Sequence, residues 1–220
     1  MYRIVTILTG DEVGQCRAIA QSAPFVDGRF TNPHNIAKVN EQLHDPAAFQ
    51  TSSQMLQQAL ARNEELCNFA FPAVIAPPMM TRYQPGMRYG AHSDAAYLQL
   101  QSATIRSDLS CTLFLSDPNS YEGGALHVQL GDASLRFKLP PGVAILYPSD
   151  TLHEVEPVSG GERLVAITFM QSRIADPFRR KLMFDLNEVA ALEGLTMTLE
   201  NYTRLQLVQS QLLRYRGDTP

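Results

Sequence analysis

Tryptophan is missing from this 220-residue chain, and cysteine appears only three times. Cys16, Cys67 and Cys111 form an odd set without CxxC spacing, so no disulfide framework can be read from them. The first two fall on apolar helix faces and the third on an apolar strand face, where a reduced thiol behaves as a small core hydrophobe. Long hydrophobic runs are also lacking. Nothing approaches the roughly 20 apolar residues of a membrane span, and the opening segment 1–8 is too short for a secretion signal before the charged pair Asp11-Glu12. Basic charge is scarce: 18 Lys and Arg stand against 22 Asp and Glu, for a net charge of −4. Nucleic-acid binders usually carry a basic stripe that tracks phosphates, so no nucleic-acid partner is expected. The expectation is a protein of the reducing cytoplasm with no membrane partner.

What is present is ordinary globular composition, 45% hydrophobic and 18% charged, in a length that suits one large domain or a domain with a small appendage. Residues 2–8 read as a strand. Thr9-Gly10-Asp11-Glu12 is a capping box for a helix with Val13, Cys16, Ile19 and Ala20 on one face. A second helix is predicted over 47–68, with Phe49, Leu56, Ala59, Leu60, Leu66 and Cys67 at helical spacing. From about 70 to 171 the period changes to two. Leu109, Cys111, Leu113 and Leu115 alternate with Ser110, Thr112 and Phe114, Val143, Ile145 and Tyr147 form a further run, and Arg163, Val165, Ile167 and Phe169 share one face. Asp176-Pro177 then starts a helix carrying Phe178, Leu182, Leu186 and Val189, and a last helix over 198–214 presents Leu199, Tyr202, Leu205, Val208 and Leu212. This order predicts an α+β fold: a jelly roll, or double-stranded β-helix, of about eight strands, with N- and C-terminal helices packed outside one sheet. Residues 1–175 read as the single main domain, with its β core at about 70–171, and 176–220 as a C-terminal helical extension.

The chemistry concentrates in His92-Ser93-Asp94, His153 and Arg163. Residues i and i+2 of a strand project from one face, so His92 and Asp94 can grip one ion together. A second imidazole completes the two-histidine, one-carboxylate face that leaves positions free on non-heme iron(II). The His-x-Asp pair alone is weak, because 5 histidines and 11 aspartates in 220 residues yield about 0.25 matches by chance. Context adds weight: His92 follows a turn at Pro85-Gly86, and His153 follows one at Pro148-Ser149-Asp150. His34 and His44 lie in the polar N-terminal stretch and read as solvent-facing or locally bonded. His127 is the rival to His153, but only His153 has an arginine ten residues on. An inward-facing guanidinium at 163 demands a carboxylate partner. Either a protein acid supplies it or the distal carboxylate of 2-oxoglutarate does.

These segments resemble a known family. Arg82-Tyr83-Gln84-Pro85-Gly86-Met87-Arg88-Tyr89-Gly90-Ala91-His92-Ser93-Asp94 is similar to the entry to the metal site of prolyl-4-hydroxylase-like dioxygenases. Arg106 to Leu115, Tyr121-Glu122-Gly123-Gly124, Leu139-Pro140-Pro141-Gly142, Leu146-Tyr147-Pro148-Ser149, Gln171-Ser172-Arg173 and Arg179 to Leu186 narrow it to bacterial PKHD-type hydroxylases, and Val26-Asp27-Gly28-Arg29 and Asn40-Glu41-Gln42-Leu43 extend it toward the N-terminus. The resemblance implies an iron(II)- and 2-oxoglutarate-dependent dioxygenase that releases succinate and CO2. It implies His92, Asp94 and His153 as metal ligands, Arg163 and Tyr83 as 2-oxoglutarate contacts, and an ascorbate requirement. The segment after Leu192 is less familiar.

The substrate stays open between an amino acid, a peptide or protein residue and a small metabolite. Tyr97, Arg106 and Glu122 are candidate contacts, and 95–107 is a candidate lid. The oligomeric state is open too, a homodimer among the options. The alternatives are a cupin-like, non-oxidative metal enzyme and a 2-oxoglutarate-binding sensor.

Overall fold

A computed structural model describes residues 1–31 and 36–215, so His34 lies outside the described residues. The chain opens with β1 (Arg3–Thr6) and α1 (Gly10–Ser22), then β2 (Phe25–Asp27), β3 (Lys38–Val39) and β4 (Glu41–Leu43). The capping box forms as its residues dictate, with the Thr9 hydroxyl accepting from the Glu12 N–H and the Glu12 carboxylate accepting from the Thr9 N–H.

The helix predicted over 47–68 is two helices, α2 (Pro46–Arg62) and α3 (Glu64–Ala70). Asn63 breaks them apart. Its backbone is extended, its side-chain oxygen accepts from the Leu66 N–H at 2.9 Å, and its amide donates to Thr6 O at 2.9 Å. Apolar spacing continues across this break, so the pattern reads through a residue whose side chain competes for backbone donors.

Thirteen strands follow: β5 (Pro72–Ile75), β6 (Met79–Tyr83), β7 (Arg88–His92), β8 (Tyr97–Gln99), β9 (Thr104–Arg106), β10 (Leu109–Phe114), β11 (Tyr121–Gly123), β12 (Leu126–Leu130), β13 (Ala133–Phe137), β14 (Val143–Pro148), β15 (His153–Val155), β16 (Val158–Gly161) and β17 (Arg163–Ser172). Seventeen strands among the described residues exceed the eight predicted. Several are only two or three residues long, too short to show a period. One sheet runs β1-β14-β10-β17-β6-β4-β2, with β5 also on β17, and the facing sheet runs β13-β12-β15-β7-β3. The β layers therefore reach outside 70–171, because β1 to β4 join both sheets.

The two faces of the larger sheet explain the alternation. Leu109, Cys111 and Leu113, with Ala144, Leu146, Leu164 and Ala166, face the helices and pack with Cys16, Leu56, Leu66 and Phe69. The opposite face, with Tyr83, Phe114, Ile145, Tyr147 and Val165, meets Leu126, Val128 and Val155 of the smaller sheet. Helices from both ends share that outer layer, since Phe184 of α4 (Pro177–Glu193) meets Phe69 edge-on at 5.7 Å. This is the α+β jelly roll. Cys16 and Cys111 are buried, whereas Cys67 is only half-buried.

Asp176 caps α4 as expected, accepting from the Arg179 N–H at 2.7 Å. Its buried stripe differs: Arg180, Met183 and Phe184 point inward while Phe178, Leu182 and Val189 are exposed. The last helix, α5 (Leu199–Arg214), buries no residue.

Candidate metal centre

Strands β7 and β15 pair antiparallel with His92 directly opposite His153. Two residues past His92 the chain turns, and the Asp94 N–H donates to Ser149 O at 3.1 Å. That turn carries the carboxylate to the imidazoles. One ligand atom from each of His92, Asp94 and His153 lies within 4.8 Å of the others. His153 Nε2 is 3.7 Å from Asp94 Oδ2, and the two rings are 4.2 Å apart.

Each ring is held by its own strand. His92 Nδ1 lies 2.8 Å from Gly90 O and His153 Nδ1 lies 3.0 Å from Thr151 O. A carbonyl can only accept, so each Nδ1 carries the proton and each Nε2 keeps a free lone pair. Burial, and then the neighbouring His153, pull the His92 imidazole down to about 4. It is therefore neutral, as a ligand must be. The Tyr89 ring lies flat on His92 at 3.6 Å. Ser110 Oγ donates to Asp94 Oδ2 at 2.5 Å, and Ser149 Oγ sits 2.8 Å from both Ser110 Oγ and Ser107 Oγ. These serines orient the carboxylate.

His127 is elsewhere. Alternation on β12 turns Leu126 and Val128 inward and His127 outward, where Nε2 meets Glu156 Oε1 at 2.5 Å. Arg136 clamps the same carboxylate at 2.8 and 3.0 Å and, with burial opposing, holds it down to about 2. His44 is exposed and meets Phe30 edge-on.

Across the barrel, Arg163 opens β17 opposite Tyr83 of β6. It is 1% exposed, with its guanidinium carbon 4.9 Å from the Tyr83 ring and 5.6 Å from the Phe114 ring. Its Nε and Nη1 are buried with no hydrogen-bond partner, and among the described residues no carboxylate pairs with it. Gly124 makes room for it: at φ +62 its backbone suits glycine, and a Cβ there would sit 2.8 Å from Val158 and 3.2 Å from Arg163 Cδ. Tyr83 Oη accepts from Asn40 Nδ2 at 2.9 Å, which leaves its own proton to donate. A buried cation with idle donors is costly and calls for an anion.

One cavity of about 490 Å³, open mouth included, joins the triad to Arg163 and Tyr83. Leu126, Val155, Ile167 and Phe169 supply its apolar wall. Lys38 and Asn40 also line it; neither was a candidate site residue in the sequence, although Asn40 opens one of the resembling segments. Lys38 lies on a two-residue strand that pairs with β7, and Asn40 follows it, its carbonyl accepting from the Gly28 N–H at 2.8 Å. Burial lowers the Lys38 ammonium to about 8. Tyr97, Arg106 and Glu122 are not among the lining residues. Tyr97 is exposed on the β8–β9 hairpin that the predicted lid forms, Glu122 is exposed on β11, and Arg106 braces Asp108 at 2.7 Å and Ser172 O at 3.3 Å.

The donor set suits iron(II), and the orphaned guanidinium suits a dicarboxylate. Comparison with known proteins agrees. Residues 78–171 match the 2OG-Fe(II) oxygenase superfamily. A PKHD-type hydroxylase of Sphingopyxis alaskensis is 60% identical over 214 residues, covering 97% of this chain and 98% of that one. The chain belongs to the PKHD-type hydroxylases. Another member, from Thermosynechococcus vestitus, is 40% identical over 192 residues, 86% of each chain. Among solved structures, a Pseudomonas putida prolyl-4-hydroxylase superposes with a TM-score of 0.54 at 21% identity, over 78% of this chain and 92% of its own. A Trichoplax adhaerens prolyl hydroxylase, solved with a peptide fragment of hypoxia inducible factor, gives 0.54 at 16% identity over 77% and 83%. Those two likenesses concern the fold. As a PKHD-type hydroxylase this chain is a 2-oxoglutarate-dependent dioxygenase that uses iron(II) and 2-oxoglutarate. No helix among the described residues is long and apolar enough to cross a membrane.

Proposed function

We propose that His92, Asp94 and His153 hold the iron, that Arg163 with Tyr83 binds the distal carboxylate of 2-oxoglutarate, and that the enzyme hydroxylates an unactivated C–H bond of an amino acid, a peptide or protein residue, or a small metabolite. The observation that carries this reading is the pair of idle donors, Nε and Nη1, on a fully buried arginine facing the triad across one cavity. Held by His92, Asp94 and His153, iron(II) would supply the oxidative chemistry that couples 2-oxoglutarate breakdown to succinate and CO2 with substrate hydroxylation. The chain supplies position. The Gly90 and Thr151 carbonyls fix the imidazole tautomers, Ser110 aims the Asp94 carboxylate, and Arg163 sets the far end of the co-substrate. The apolar wall keeps competing water away. Ascorbate serves as reductant by kinship, and the cytoplasm is the compartment. Residues 1–175 form the catalytic domain and 176–220 its helical extension.

The test is anaerobic titration. Iron(II) with 2-oxoglutarate gives a visible charge-transfer band in the wild type, and His92→Ala abolishes it. Arg163→Ala weakens 2-oxoglutarate by about 2–5 kcal/mol, roughly 30-fold or more, while leaving iron binding in place. Unchanged co-substrate affinity rejects the clamp. Activity retained on zinc without succinate favours a non-oxidative metal enzyme instead.

A further inference from the structure

Besides Arg163, the cavity is lined by a second buried cation, Lys38. Lys38 pairs opposite Tyr89 in the β3–β7 register, and alternation sends it inward while Val39 faces out. It is 5% exposed and lines the same cavity as the triad and Arg163. Its ammonium stands 5.8 Å from the centre of the Tyr89 ring, which itself lies flat against His92 at 3.6 Å. Lys38 is thus one ring away from the metal face, on the sheet opposite Arg163. Of its three N–H donors only one is engaged among the described residues, to Thr31 Oγ1 at 2.8 Å. Asp27, whose field Lys38 feels, is closed in a bidentate pair with Arg29 at 2.6 to 3.2 Å.

Charge counting isolates the residue. Iron(II) and Arg163 together bring three positive charges, and the Asp94 carboxylate with dianionic 2-oxoglutarate brings three negative ones. Lys38 is left over, buried, lining the same cavity and without an acid partner among the described residues. A buried ammonium of this kind is stabilised by one partner above others, an anion held by charge-assisted hydrogen bonds. Building on the metal and Arg163 assignments above, we infer that Lys38 is the anchor for a carboxylate on the primary substrate. The substrate class is then carboxylic acids that present a C–H bond to the iron while their carboxylate meets Lys38.

The experiment uses the manganese(II)-loaded enzyme with saturating 2-oxoglutarate, and reads paramagnetic broadening of the methyl protons of acetate, with acetamide as neutral control. The wild type broadens acetate and not acetamide. Lys38→Met, which keeps side-chain length, weakens the acetate response about tenfold or more, leaves 2-oxoglutarate affinity within about twofold, and Lys38→Arg restores the response. Equal broadening in Lys38→Met, or none in the wild type, overturns the anchor. So does a loss of 2-oxoglutarate affinity in Lys38→Met as large as that in Arg163→Ala, since Lys38 then serves the co-substrate. A wild type that binds no 2-oxoglutarate fails the underlying site reading instead, and is recognised before acetate is added. Substrate-stimulated succinate release by free L-amino acids, compared with N-acetylated dipeptides that end in a free carboxylate, then separates a metabolite from a peptide terminus as the source.

Discussion

Two histidines on neighbouring strands of the same sheet meet opposite fates because of which way alternation turns them. His153 faces inward and finds Asp94; His127 faces outward and finds Glu156. Spacing to Arg163 separated them in the sequence, since both arginine and ligand must look into the same barrel. The residues that tune the site were not legible that way. Ser110 sits in an alternating run as an ordinary polar position, and only the turn after β7 brings Asp94 to it. Losing that 2.5 Å hydrogen bond frees the carboxylate to rotate. Ser110→Ala is expected to weaken iron(II) about 10- to 100-fold, read by metal titration, while thermal unfolding of the metal-free protein changes little. Lys38 was equally hidden, and its burial has a thermodynamic signature. The ammonium falls from 10.5 unfolded to about 8 folded because burial removes its water. Between those values the unfolded chain binds the extra proton, so stability rises with pH from about 8 to 10.5, and below 8 the folded state carries the whole penalty. That shift corresponds to about 3 kcal/mol, less about 1 for the hydrogen bond to Thr31. Lys38→Met should therefore stabilise the metal-free protein by about 2 kcal/mol at pH 7, with the advantage shrinking towards pH 10. Denaturant midpoints at the two pH values measure it. A variant that is no more stable than the wild type at pH 7 counts against a desolvated charge.

Elements with long periodic stretches could be read, and elements made by pairing could not. β10 and β17 showed their two faces in the sequence because six and ten residues carry the alternation. β2, β3 and β4 hold two or three residues each, too few to show an alternation. They are strands because neighbours offer them backbone partners: β7 pairs with β3, β6 with β4, and β4 in turn with β2. The break at Asn63 is the reverse case, in which one residue overrides a continuing apolar stripe. Its side chain does two jobs, capping α3 through the Leu66 N–H and tying the helix start to β1 through Thr6 O. Asn63→Ala removes both and is expected to cost about 1–2 kcal/mol. Asn63→Asp keeps the cap acceptor and loses only the amide donor, so it should cost less. Chemical denaturation of the two variants, read side by side, gives the order. Equal losses would place the stabilisation in the tie to β1 and not in the cap.

At the scale of the molecule, the two C-terminal helices follow one another in sequence but differ in what they give the fold. α4 lays Phe184 into the layer between helices and the larger sheet, Met183 is buried beside it, and the buried Arg180 donates to Ile174 O at 3.0 Å. α5 buries no side chain fully: Tyr202, Leu205 and Leu212 are half-buried, and its polar contacts to α4 include Gln209 to Asn187 at 2.8 Å, with Arg179 donating to Leu212 O at 3.0 Å. Apolar spacing could not distinguish them, because both helices carry leucines at helical intervals and only packing decides which stripe is covered. Phe184→Ala empties a site where an aromatic ring meets Phe69, a change that typically costs about 3–5 kcal/mol. Ending the chain after Gly194 removes α5, a helix with no fully buried side chain, and stability lost on truncation follows burial more than sequence length. The shortened protein should keep its iron–2-oxoglutarate charge-transfer band and unfold within a few degrees of the full chain, while Phe184→Ala lowers the Tm clearly further. Should the truncated chain instead lose the band or unfold with the larger shift, α5 would be holding α4 on the sheet, and the outer layer would have to be treated as one cooperative unit through to Arg214.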